Sequence, residues 1–288
     1  MATIATDLAH NAPAPARPCP KMANVMAYIL LSIGAIGMLV PFFWMIATSM
    51  KTASEILKPQ FFPANPTLEN YQTVLTRTLF PTWYVNSLLA AAASTISVAF
   101  FDSLAGYVFA KFNFPLKRVF FLLILASLMV PTEMLVIPWF IMATGAKLQD
   151  TLLGIVFPGL ITATGVFMMR QSFYGVPDEL LDAARIDGMN EFGIFTRIAW
   201  PLVKPAVAAI SIFNFLGNWN AFLWPLIVTS KRVTMTLPVG LSFFSGEAGS
   251  DWHLIMTGAT LSTVPLLIVF LFMQKQIIQG VALTGMKS

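Results

Sequence analysis

Five of the chain's thirteen acidic residues fall between Asp178 and Glu191, in a stretch reading "DELLDAARIDGMNEFGIFTRIAWPLVKP" as far as Pro205. Asp178, Asp182 and Arg185 share one helical face at i, i+4, i+7 spacing, and Leu181, Ala184 and Gly188 share another, where small residues allow close approach. Pro177 suits the first turn of a helix, Asp178 and Glu179 suit its positive end, and Gly188 suits its stop. A second short helix carries Phe192, Phe195 and Ala199, and Pro201 ends it. An amphipathic linker lying on the membrane surface usually carries Lys and Arg on its polar face. This segment is acidic in its first half, so a surface that seats in the groove of a partner protein fits better.

Bond-making chemistry has little to work with. The two histidines and the single cysteine, Cys19, are too few for a metal site or an intrachain disulfide. No G-x-x-x-x-G-K-[ST] loop is present to cradle a nucleotide phosphate. His253, after Asp251 and Trp252, reads as an interfacial anchor. Asp102 and Glu133 are the acids nearest the apolar runs, and an intramembrane acid is a candidate functional group. Asp102 falls near the inner end of its run, within reach of water or Lys111. Glu133 follows Pro131, where a broken turn leaves free carbonyls and a cavity, and it is a candidate for a transport pathway. Asn214, Asn218, Trp219, Asn220 and Trp224 make one run unusually polar. Asn214 and Asn218 share a face, as do Asn220 and Trp224. Such amides can hold helices together in lipid, or serve a hydroxyl-rich solute that stacks and hydrogen-bonds; both readings stay open.

The elements that must position these groups are membrane helices. The chain is 57% hydrophobic and 10% charged, against about 25% charged for a soluble domain. Its net charge of +4 does not suggest nucleic acid as a partner. Six apolar runs long enough to span a bilayer lie at 24–47, 83–104, 119–142, 152–169, 206–229 and 254–273. Internal prolines such as Pro41, Pro131, Pro158, Pro225 and Pro265 are tolerated where neighbouring helices satisfy the freed carbonyls. With the N-terminus inside, eleven Lys and Arg lie on the cytoplasmic side and six outside, so both termini are expected in the cytoplasm. The fold expected is all-α: a polytopic membrane protein with six transmembrane helices and a cytoplasmic amphipathic helix between spans four and five. Residues 1–23, rich in Ala and Pro and unlike a signal peptide, read as a disordered cytoplasmic tail. Residues 24–274 are expected to form the membrane domain, with the acidic cytoplasmic loop at 171–204, and 275–288 a second cytoplasmic tail. No internal repeat is visible. Two long outer loops occupy 51–82 and 230–253; in the second, Gly246 and Gly249 free the tip of "LSFFSGEAGSDW" to adopt positive φ.

The acidic stretch resembles the cytoplasmic loop of binding-protein-dependent ABC importer permeases, whose pattern is Glu-Ala-Ala, a Gly four residues on, then Ile-x-Leu-Pro. Here it stands as Asp182-Ala183-Ala184, Gly188 and Ile198-Ala199-Trp200-Pro201, with Asp for Glu and Trp for Leu. "SMKTASEI", "NPTLENY", Asn86-Ser87, "YVFAKFNFP", "WNAFLWPL" and "QGVALTGMKS" are similar to the maltose-type subfamily, in the same order over almost the whole chain. The resemblance implies a non-enzymatic permease subunit in the cell inner membrane that imports an oligosaccharide, polyol or glycerol phosphate. It implies as partners a second, different permease, two ATPase subunits that bind ATP and Mg, an external solute-binding protein and membrane lipid, with no cofactor in this chain. It assigns ATPase coupling to Asp178, Glu179, Asp182, Ala183, Ala184, Arg185, Asp187, Gly188, Ile198 and Pro201. It also implies that the 230–253 loop, through Ser245, Gly246, Glu247 and Gly249, contacts the binding protein, and that the C-terminal tail reaches the ATPase interface. A self-sufficient secondary transporter is the alternative; it calls for a coupling-ion site and repeats.

Overall fold

The computed structural model describes residues 22–56, 58–246 and 249–285, so Cys19 and Glu247 lie outside the described residues. Three helices are long and apolar enough to cross a membrane unaided: α1 (Met22–Ser49), α3 (Phe80–Lys111) and α14 (Trp252–Gly285). A short helix, α2 (Glu69–Arg77), lies between α1 and α3, on the loop that the sequence marks as long. Asn70 fixes that loop, its amide donating to the carbonyls of Ser49 and Lys51 at 2.8 Å each.

The other crossings are bent pairs. α4 (Lys117–Ser127) meets the segment Thr132–Gly145 at 98° just after Pro131; that segment is a 3-10 turn at Thr132–Leu135 leading into α5 (Val136–Gly145). Proline withholds the N–H that would continue the helical ladder, so the apolar run 119–142 cannot be one straight helix. α6 (Leu152–Val156) reaches α7 (Ala163–Tyr174) through a 3-10 turn at Phe157–Gly159 containing Pro158. Then come α8 (Asp178–Ile186), α9 (Glu191–Ile194), a π-turn at Phe195–Ala199, and α10 (Trp200–Leu202). α11 (Lys204–Trp219) leaves this segment at 82° and is separated from α12 (Leu223–Val228) by residues 220–222. The run 206–229, read from sequence as one span, is thus two helices, and the bend that pairs with α11 lies before it. Up to six crossings result if each bent pair counts as one. α13 (Leu237–Ser242) and a two-residue antiparallel pair, β1 (Ser245–Gly246) with β2 (Gly249–Ser250), complete the loop between α12 and α14.

α3 is the centre of the bundle, packed by α7 and α11. Gly106 makes this possible: a Cβ there would stand 2.6 Å from the Met169 Cβ and 2.8 Å from the Arg170 backbone nitrogen. Small residues let two membrane helices approach this closely. One apolar cluster gathers at each end of α3. Val74, Phe80, Trp83, Trp219, Leu237 and Val239 form the first; Tyr107, Met169, Phe173, Leu181, Ile194 and Phe195 belong to the second. α1 is apolar on all sides and exposed along most of its length, packing on α14. A helix of that kind belongs against lipid or another membrane helix.

Candidate functional site

The acidic segment is a helical hairpin fastened at three points. Lys111, at the end of α3, donates at 2.6 Å both to the Val176 carbonyl and to the Asp178 carboxylate, which holds the entry of α8. At the exit of α8, Gly188 adopts φ +82°. Its N–H donates to the Arg185 carbonyl and the Met189 N–H to the Ala184 carbonyl, each at 3.0 Å. This is the Schellman arrangement, which requires a left-handed residue and so favours glycine. Asn190 then caps α9, its side chain accepting from the Gly193 N–H at 2.7 Å. Arg185 joins the two helices, bonded to Asp182 at 2.6 Å and to Glu191 at 2.7 Å.

Two expectations about this hairpin change. Leu181 and Ala184 do not form an outward apolar stripe. Both are buried against this chain's own Phe195, Phe173 and Tyr107 cluster, because an amphipathic hairpin needs its own core before it can serve a partner. Gly188 is not a point of close approach within the chain, since a Cβ there would meet nothing within 4 Å; its glycine is demanded by backbone φ. The outward face is Glu179, Leu180, Asp182, Ala183, Asp187 and two isolated apolar side chains, Ile186 (86% exposed) and Phe192 (58%). Ile198 lies half-buried on the inner cluster, and Trp200 stacks on Phe195 at 6.0 Å. Pro201 follows directly in α10.

Three of the hairpin's acids, Asp178, Asp182 and Glu191, are paired within the chain. The hydrogen bond from Lys111 and its positive charge hold the Asp178 carboxyl below the usual carboxylate range. The Glu191 carboxylate, then that of Asp182, raises the Arg185 guanidinium above its ordinary value. A depressed Asp178 contributes stability above its unfolded pKa of about 3.9 and loses it only as pH falls through the lower folded value. Attachment of α8 to α3 is therefore expected to be constant across neutral pH. Lys111→Met is expected to raise amide hydrogen exchange in α8 while leaving α3 protected; equal exchange in variant and parent would show that apolar packing alone holds the hairpin.

Farther along the bundle, the polar residues of α11 are engaged with neighbouring elements. The Asn214 carboxamide oxygen accepts from Ser94 and Asn218 at 3.1 Å each. Ser94 also reaches the Gly159 carbonyl at 3.0 Å, and Ser97 the Leu160 carbonyl at 2.7 Å. The α3 hydroxyls thus satisfy carbonyls freed where α6 gives way to α7, as buried backbone groups require. Trp219 donates to the Ser262 carbonyl at 3.2 Å, and Trp224 to that of Ile155 at 3.0 Å. Asn220 bonds back to the Leu216 carbonyl and ends α11, whereas Trp224 belongs to α12. The break at 220–222 therefore removes the common helical face expected for Asn220 and Trp224. Glu133 is exposed in the turn between α4 and α5.

Asp102 is fully buried, and Lys111, which the sequence offers as its partner, bonds Val176 and Asp178 instead. Its carboxylate accepts from the Thr162 N–H at 2.9 Å and from the Thr162 hydroxyl at 2.6 Å. Thr162 in turn caps α7, accepting from the Gly165 N–H at 3.0 Å. A Cβ at Gly165 would overlap the carboxylate, so the glycine is space for this cap.

The 230–253 loop is pinned by Asp150 and Trp83, which the sequence reading did not single out, and by the Asn86-Ser87 pair, whose role it left unassigned. Asp150, at φ +56°, accepts from the N–H groups of Ser230 and Lys231 and from the Thr234 hydroxyl, at 2.7, 2.9 and 2.8 Å. Burial pushes its carboxyl up, but these donors outweigh burial and hold it below the ordinary range. Trp83 donates to the Arg232 carbonyl at 2.6 Å, and Asn86 to those of Val233 and Met235 at 2.9 Å each. The Ser87 hydroxyl accepts from the Leu237 N–H at 2.7 Å. Beyond this anchor, Ser245 and Gly246 pair with Ser250 and Gly249 in the hairpin. Aspartate's tolerance of the left-handed region was the available signal for Asp150. Among the described residues no group of three His, Cys, Asp or Glu is placed to hold a metal.

Residues 102–283 match the family described as binding-protein-dependent transport system inner membrane component. An arabinooligosaccharides transport system permease protein of Bacillus subtilis is 35% identical over 93% of this chain and 96% of its own. A lactose transport system permease protein of Rhizobium radiobacter is 33% identical, covering 90% and 95%. An sn-glycerol-3-phosphate transport system permease protein of Brucella abortus is 28% identical, covering 91% and 97%. A crystal structure of a bacterial ABC transporter involved in the import of the acidic polysaccharide alginate shares the fold, with a TM-score of 0.80 at 23% identity, covering 90% of this chain and 99% of that one.

Proposed function

The chain belongs to the binding-protein-dependent transport system inner membrane components, and from that premise we propose that it forms half of the import path for a carbohydrate-like solute, driven by ATP hydrolysis in separate subunits. The observation that carries the coupling role is the α8–α9 hairpin, whose inner face is welded to the end of α3 and whose outer face leaves Ile186, Phe192 and several acids uncovered. A rigid knob of this kind transmits displacement, because its contacts with the bundle are fixed while its contacts with a partner change between states. The partners are a second, different permease, two ATPase subunits that bind ATP and Mg, and a solute-binding protein on the outer side, with both termini cytoplasmic. The solutes in the names of the related permeases support a hydroxyl-rich substrate. Asn218, Asn220 and Glu133 are pathway candidates, and the 245–250 hairpin is a candidate contact for the binding protein.

The test is assembly. Co-expression with a second permease and an ATPase is expected to yield a complex whose ATP hydrolysis rises when solute-loaded binding protein is added. Uptake by vesicles containing this chain alone would overturn the reading in favour of a self-sufficient transporter, and an active homodimer with the ATPase would overturn the heteromeric arrangement.

A further inference from the structure

At the coupling end of the bundle, α4 begins beside α7 over a cleft of about 660 Å³. Its lining includes Lys117, Arg118 and Arg170, and no Asp or Glu. Clusters of three cations are normally balanced, and elsewhere at this end Lys111 and Arg185 have carboxylate partners. These three do not. Lys117 is held by the Phe112 carbonyl at 2.7 Å, and Arg170 by the Phe109 carbonyl at 3.1 Å. The Arg170 Cζ stands over the Phe121 ring, 3.7 Å from its centroid, and 4.9 Å from that of Tyr174. Arg118 has no partner among the described residues. Backbone and ring contacts therefore fix the positions of Lys117 and Arg170, and no acidic side chain among the described residues neutralises the cluster.

Two features identify what would. The cleft is amphipathic: above the cations run Leu122 and Leu125, also in its lining, with Leu122 more than half exposed. The first turn of α4 has no side-chain cap, since Leu116 at φ +61° occupies that position. Free N–H groups at a helix start favour negative charge. A ligand that places phosphate among the cations and an acyl chain along the leucines fits both halves. We propose that this cleft binds the headgroup of an anionic phospholipid from the leaflet facing the coupling hairpin. The assignment rests on these helices crossing the membrane, not on which solute is carried. Basic pockets between membrane helices at the cytoplasmic surface are suited to such headgroups. Bound lipid would brace the α4–α7 contact directly before the hairpin that follows α7.

The assembled complex in phosphatidylcholine vesicles, probed by electron spin resonance with spin-labelled phosphatidylglycerol or phosphatidylcholine, provides the test. The parent complex is expected to prefer phosphatidylglycerol. Arg118→Gln is expected to lower that preference about fivefold, the contribution of one basic residue near an anionic surface, and Lys117→Gln with Arg118→Gln to lower it further. Arg118→Lys should retain it, and Lys147→Gln, at the opposite end, should leave it unchanged. Because Arg118 is exposed and unpartnered, its single variant remains informative if the double variant fails to assemble. An unchanged preference in Arg118→Gln overturns the proposal. So does loss of the preference when inorganic phosphate replaces chloride at equal ionic strength, because the cleft would then be a site for free anions.

Discussion

Gly188→Leu is expected to abolish stimulation of ATP hydrolysis by loaded binding protein while the complex still assembles. Crowding within the chain is not the reason, because the space around Gly188 is open. The residue turns the chain from α8 to α9 at φ +82°, a region that costs an L-residue about 1–2 kcal/mol. Relieving that strain breaks the two bonds of the Schellman turn and shifts Asn190, the α9 cap, so the hairpin's outer face no longer has a fixed shape. Gly188→Asn separates this cause from another. Asparagine tolerates the left-handed region but adds bulk. If Asn preserves stimulation and Leu removes it, the role is conformational. If both remove it, the surface around Gly188 is itself covered by a partner. Full stimulation with Leu would dissociate the hairpin from coupling. Substitution of Asp182 is a smaller matter, since its exposed pair with Arg185 contributes about 0–1 kcal/mol.

Asp102→Ala is expected to produce the largest loss of stability. It removes the acceptor for both the N–H and the hydroxyl of Thr162, in the contact between α3 and α7. Each buried donor left unpaired costs about 1–3 kcal/mol. Thermal denaturation of the purified complex should show a marked fall in midpoint, accompanied by reduced yield. Asp102→Asn keeps the shape and one acceptor and is expected to fall between. Gly165→Ala should resemble Asp102→Ala, because its Cβ intrudes on the carboxylate from the other side. A midpoint unchanged in Asp102→Ala would mean that water or a rearranged side chain replaces the cap.

What could be read from sequence followed from local rules. The turn at Gly188, the acids opening α8 and the apolar runs of α1, α3 and α14 each depend on residues close in the chain. Pro131 also announced its break, although not the size of the bend. Pairings across long separations were not legible. Nothing in the spacing of Asp102 and Thr162, or of Asp150 and Ser230, shows that they meet. Leu181 illustrates a subtler limit: periodicity identified the apolar face, but not whether that face meets its own bundle or another protein. Asn220 and Trp224 failed for a local reason, because four-residue spacing has meaning only inside a continuous helix, and α11 ends at Trp219 before α12 begins at Leu223.

α3 crosses from one terminal cluster to the other in a single run of 32 residues, about 48 Å at the rise of an α-helix. Its proline stands in the first turn, and no break interrupts it, whereas the crossings packed on it are jointed. At its start, Trp83, Asn86 and Ser87 grip the loop leading to the outer hairpin; at its end, Lys111 grips α8. The molecule therefore has a mast and hinged booms. Because α3 is unbroken, a displacement imposed at one grip is expected to be carried along its length to the other without crossing a bend in the helix.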